Sequence, residues 1–105
     1  MITQKQAEQL VYDHINLPWP SWPDKPEMVV TRIVERPLGW VISWTTRPAK
    51  ENPGSSHALA GNAPYLVSRA DGAMFAMPYR GHSYEERLRD AENELQAHLQ
   101  SQSQI

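Results

Sequence analysis

Cysteine is absent from this 105-residue chain. That absence removes disulfide bridges, thiolate metal sites and cysteine nucleophiles together, and it suits a reducing compartment. No apolar run approaches the length of a membrane span. The start, Met1-Ile-Thr-Gln-Lys-Gln6, lacks the apolar stretch of a secretory signal. A cytoplasmic location is therefore the expectation. Excess charge is also missing: 10 Lys and Arg against 12 Asp and Glu leave a net −2, without the basic footprint that nucleic-acid binding favours. Neither a nucleic-acid nor a membrane partner is expected. Phe occurs once, yet four Trp and four Tyr supply large rings for a core. The length suits one domain with one core, so residues 1–105 are read as a single domain with 100–105 as a frayed tail.

Helical signals stand at both ends. Thr3 and Gln6 have the spacing of a capping box, and Ala7, Leu10, Val11, His14 and Ile15 then recur as one helical stripe that Asn16-Leu17-Pro18 ends. His14 reads as a half-buried, hydrogen-bonded imidazole, since no second ligand type shares its face. Ser83 and Glu86 form a second capping box, followed by a stripe of Tyr84, Leu88, Ala91, Leu95 and Leu99. On that same helix Glu86, Asp90 and Glu94 follow at four-residue steps with no Lys or Arg in their row. Such a row is either a solvated flank or a docking face for a basic partner.

Between the helices lie strand signals. Glu27–Glu35 is rich in β-branched residues, Arg36-Pro37-Leu38-Gly39 suits a turn, and Trp40, Ile42 and Trp44 alternate with Val41, Ser43 and Thr45. The alternation predicts one buried aromatic face. Arg47–Ala58 is polar and aperiodic and reads as a solvated loop. Pro18–Pro26 carries four prolines in nine residues, which predicts a stiff, extended path with Trp19 and Trp22 on the same side. The two rings either lie on the domain as a lid over a sheet edge or stand out as interface anchors.

The chain is organised around Leu59–Met77. Gly61-Asn62 can reverse the backbone, Pro64 sends it out extended, Tyr65-Leu66-Val67 forms a strand, and Ala70-Asp71-Gly72 turns into the return strand Met74–Met77. Ala60-Gly61-Asn62-Ala63-Pro64 with Asp71-Gly72, together with Gly39-Trp40 and the strand Val41–Trp44, resembles the signature of YrhB-like bacterial proteins, the immunity protein 35 family of polymorphic toxin systems. The resemblance covers the chain from the first helix to the start of the last. It implies a small cytoplasmic protein that binds a cognate toxin and blocks it by stoichiometric occlusion. Trp19 and Trp22 would then be anchors, and Glu86, Asp90 and Glu94 a charged face. Gly39, Trp40, Gly61, Asn62, Pro64, Asp71 and Gly72 are assigned to the fold.

Catalytic chemistry finds little support. The histidines at 14, 57, 82 and 98 show no metal-ligand spacing, Ser55-Ser56-His57 lacks an orienting third group, and Gly54-Ser55-Ser56 lacks the lysine of a phosphate loop. No enzyme, cofactor or metal is expected. Two other readings stay open: a chaperone-like binding protein with many clients, and a small ligand-binding or enzymatic domain between the sheet and the long loop. The predicted architecture is α+β: an N-terminal helix, a four-stranded antiparallel meander and a C-terminal helix, with both helices on one face.

Overall fold

The computed structural model describes residues 1–51, 63–77 and 83–103. Helix α1 (Gln4–Ile15) opens on the expected capping box: Gln6 N–H donates to Thr3 Oγ1, and Thr3 N–H donates to Gln6 Oε1. Ala7, Val11 and Ile15 are buried, whereas Leu10 is 40% exposed and His14 lies exposed beside them. The His14 ring meets Tyr65 edge-on, with centroids 5.4 Å apart. Asn16 ends the helix and clips it to the sheet. Its amide donates to the carbonyls of Tyr12 and Met28, at 2.8 and 3.0 Å, and its oxygen accepts Met28 N–H at 2.8 Å.

Residues 18–26 do not run extended. Trp22 N–H donates to Trp19 O at 2.9 Å and Lys25 N–H to Trp22 O at 3.2 Å, so the chain makes two successive turns. Pro20 and Pro23 each take the second position of a turn, where their fixed φ is favourable. Proline density therefore marks a tight fold-back here.

Strands β1 (Met28–Arg36), β2 (Gly39–Thr46), β3 (Tyr65–Ser68) and β4 (Met74–Ala76) pair in chain order as an antiparallel meander. The register aligns Ile33, Ile42, Tyr65 and Ala76 in one row and Glu35, Trp40, Val67 and Met74 in another on the same face. The intervening row, Val34, Val41, Leu66 and Phe75, points to the opposite face. A bulge falls between Val30 and Arg32. Gly39 sits where β3 comes closest, and a Cβ there would lie 1.8 Å from the Val67 carbonyl oxygen. In the β3–β4 connection Ser68 N–H reaches Ala73 O and Gly72, at φ +78°, donates to Ser68 O. Residues 69–72 make the turn, one more than expected.

The two helices cover different faces. Ala7, Val11 and Ile15 of α1 pack with Met28, Trp40, Ile42, Trp44 and Val67. Helix α3 (Tyr84–Ser103) sets Leu88, Ala91 and Leu95 against Val41, Leu66 and Met77. The α+β class and the meander stand as expected, but the sheet lies between the helices, with one on each side. The expectation of a shared face rested on β2, where Ser43 and Thr45 made one side look wet. At Val41 that side is fully covered, and a strand buried on both faces loses its alternation. A short helix, α2 (Arg47–Glu51), occupies the start of the expected loop, with Pro48 in its first turn. The rest of that loop, with Ser55, Ser56 and His57, lies outside the described residues, as do Gly61, Asn62 and His82.

Candidate functional site

The acidic row is positioned by the packing of α3. Leu88, Ala91 and Leu95 are held on the sheet, which fixes the helix rotation and leaves Glu86, Asp90 and Glu94 exposed. Ser83 Oγ accepts Glu86 N–H at 3.2 Å and caps the helix beneath them. On the sheet side of α3, Glu92 takes a two-pronged pair of bonds from Arg36, Nε at 3.1 Å and Nη2 at 2.9 Å. The hydrogen bonds to Glu92 raise the Arg36 pKa and tie α3 to the β1–β2 turn. Among the acids of α3, Glu92 thus ties the helix to the sheet, while Glu86, Asp90 and Glu94 stand on its exposed side.

Trp19 and Trp22 stand on the other face. Both rings are half-buried against the α1 cluster. Their centroids lie 6.1 Å apart, and Trp19 meets Trp44 at 90° with centroids 6.4 Å apart. Lys25 Nζ sits 5.1 Å from the Trp19 ring centre and donates to Ile15 O at 3.2 Å. The pair thus closes the end of the core beneath α1. The row on α3 and the Trp pair are separated by the sheet, so they do not form one continuous surface.

A third constellation was not legible from spacing. Glu27, just before β1, accepts the Tyr12 hydroxyl on one oxygen and Arg47 Nε at 2.6 Å on the other. The bonds from Arg47 and then Tyr12 lower the Glu27 pKa to about 2 from 4.5, and the bond to Glu27 raises that of Tyr12. Arg47 also lies 3.6 Å from Glu51. This network holds α1, the start of β1 and α2 together. Beside it opens a cleft of about 420 Å³ lined by Lys5, Glu8, Gln9 and Tyr12 of α1, Val29 and Val30 of β1, and Arg47 and Lys50 of α2. Its cations come from two distant places in the sequence, α1 and α2, which is why no motif announced it.

The fold residues divide. Asp71 accepts Ala73 N–H at 3.1 Å and lies 2.8 Å from His98 Nε2, so the β3–β4 turn is joined to the last turns of α3. Burial opposes its charge, but hydrogen bonds from His98, Ala73, Ser68 and Gln102 outweigh that and hold its pKa at about 2, against 3.8 unperturbed. Trp40 is buried under the Arg69 guanidinium, 4.6 Å from ring centre to Cζ, and its indole N–H has no hydrogen-bond partner among the described residues. Pro64 O accepts Met77 N–H at 3.0 Å, and Trp44 Nε1 donates to Ala63 O at 2.8 Å, which anchors the approach to β3. Among the described residues no group of three or more His, Cys, Asp or Glu is placed to hold a metal, and no helix is long and apolar enough to cross a membrane. Comparison of the chain with protein-family models, curated proteins and solved structures returns no match.

Proposed function

We propose that this chain is an immunity-type protein, of the kind the YrhB-like signature implies, that neutralises a cognate toxin in the cytoplasm by binding it one to one. The observation that carries the reading is the exposed row Glu86, Asp90 and Glu94 on a helix whose opposite side is locked to the sheet. A rigid acidic flank suits a basic partner surface, because oriented charge speeds encounter and fixes register without requiring the inhibitor to reorganise. Effective neutralisation leaves almost no free toxin, which requires a Kd of about a nanomolar or tighter, roughly −12 kcal/mol. An interface on the order of 1,600 Å² with a few buried anchors reaches that. Trp19 and Trp22 offer a partner only the exposed parts of rings that already serve the core, so the encounter face is assigned to α3.

The test is growth rescue and co-purification with the polypeptide encoded beside this gene. The proposal expects the neighbour to kill cells alone, and this chain to restore growth and elute with it one to one. Glu86→Lys/Asp90→Lys/Glu94→Lys should keep the fold and lose most of the rescue. A harmless neighbour, or a toxic one that this chain neither binds nor silences, overturns the reading.

A further inference from the structure

We infer that the corner formed by Trp19 and Trp22 receives a proline-rich segment of a partner protein in the polyproline II conformation. The corner holds a cleft of about 180 Å³ lined by Asn16, Pro18, Trp19, Trp22, Pro23 and Lys25. Sites that enclose a whole small molecule run to about 300–1,000 Å³. This one has the size of one or two side chains of a longer ligand. Its walls are set in advance. The bonds from Trp22 N–H to Trp19 O and from Lys25 N–H to Trp22 O hold the backbone of both turns. The edge-on contact of Trp19 with Trp44 and the 59° tilt between Trp19 and Trp22 fix the rings. Rigid aromatic side chains give up little freedom when a ligand settles on them.

The polar groups of this cleft are one-sided. Trp19 and Trp22 are half-buried, yet neither indole N–H is shut off from solvent or hydrogen-bonded. Trp44 differs, since its indole N–H is given to Ala63 O and serves the fold. An indole can only donate, and Lys25 Nζ spends one hydrogen on Ile15 O and keeps two. Asn16 is already engaged: its amide donates to the Tyr12 and Met28 carbonyls, and its oxygen accepts Met28 N–H. The lining side chains thus present donors on flat apolar rings, with the one acceptor among them in use. The complementary ligand is apolar, rich in carbonyls and poor in N–H. A polyproline II segment has that composition. Its backbone makes no internal hydrogen bonds, so every carbonyl stays available, and each proline lacks the donor that would go unmet. Such segments dock in aromatic-lined grooves at low entropy cost, because their helix is already formed. The corner lies across the sheet from the row on α3, and this inference holds or fails independently of the toxin-binding proposal.

The probe is capped decaproline, titrated into the isotope-labelled full chain and followed at the four indole N–H signals. Expected are saturable shifts of the Trp19 and Trp22 signals, with those of Trp40 and Trp44 unmoved. A capped Gly-Ser peptide of equal length, which has the carbonyls but neither the rings nor the preformed helix, should leave all four in place. Trp22→Phe keeps an aromatic ring and removes one donor, so it should weaken decaproline by about fivefold. If that variant disturbs the turns, Lys25→Met removes a donor at the rim while keeping the apolar stem, and the unaltered chain still decides between the two peptides. Four results overturn the inference. Equal shifts with the Gly-Ser peptide would show a surface with no preference for proline. Shifts produced by tetramethylammonium and not by decaproline would make the corner a cation cage. Shifts that grow with protein concentration and need no peptide would assign it to a second copy of this chain. Unmoved Trp19 and Trp22 signals at millimolar decaproline would show that the corner only closes the core.

Discussion

Gly39 shows how a single residue is required by its neighbours more than by its own backbone. Its sequence context suits the last position of a turn, but the structural demand comes from the Val67 carbonyl of β3, which leaves no room for a Cβ. Gly39→Ala should therefore lower stability by about 3 kcal/mol or more in chemical denaturation, since the obstacle is backbone in a central sheet. Gly72 differs. Its φ of +78° is the problem, and the nearest atom to an added Cβ is the tip of Leu10 at 3.0 Å, so Gly72→Ala should lose only about 1–2 kcal/mol. Asn16 reads in the sequence as a helix stop. Its side chain makes two hydrogen bonds to Met28 of β1 and one to Tyr12 O of α1, and Asn16→Ala would strand Met28 N–H at a loss of about 1–3 kcal/mol. No local pattern could have revealed that, because Met28 becomes its partner only once the Trp-Pro turns bring the chain back.

At the scale of elements, the capped helices and the hairpins were legible because their signals are local: a capping box, β-branched runs, Asp-Gly at a turn. What was not legible is how elements are tied to one another. Asp-Gly places Asp71 in its own turn, and it does accept Ala73 N–H there, but its other oxygen holds His98 on α3. That bond predicts an acid-sensitive attachment of α3 to the β3–β4 turn. The folded pKa of Asp71 is about 2 and its unperturbed value 3.8, so its contribution is complete above about pH 4 and is lost as pH falls towards 2. Glu27 is depressed to about 2 as well, from 4.5, and weakens the Tyr12–Arg47 network over the same range. Asp71→Asn separates the two: amide exchange along the last turns of α3 should become faster at pH 7 and lose most of its acid dependence, while exchange around Tyr12 keeps it. The Trp-Pro segment failed for a related reason. Pro at the second position of a turn and Pro in an extended path have nearly the same φ, and only the Trp22 and Lys25 amide bonds distinguish them.

For the whole molecule, the class and strand order follow from the sequence, whereas the two-sided covering of the sheet follows from register, which aligns Val41 with Leu66 and Phe75 under α3. This layering has an energetic signature. Val11→Ala and Leu95→Ala remove side chains from cores on opposite faces, at about 2 and 2–5 kcal/mol respectively. Their effects in the double variant should add to within about 0.5 kcal/mol, because the sites share no partner; coupling well beyond that would contradict separate cores. The layering also sets two surfaces on opposite sides of the sheet: the acidic flank of α3 and the Trp19–Trp22 corner on the α1 side. The proposed toxin contact belongs to the first of these. Its most direct test is a calorimetric titration of the neighbour-encoded polypeptide with this chain, repeated with Glu86→Lys/Asp90→Lys/Glu94→Lys. The account predicts one-to-one binding at about a nanomolar or tighter for the unaltered chain and a loss of about a hundredfold or more, roughly 3 kcal/mol, for the variant. No measurable binding by the unaltered chain, or equal affinity for both, would contradict it.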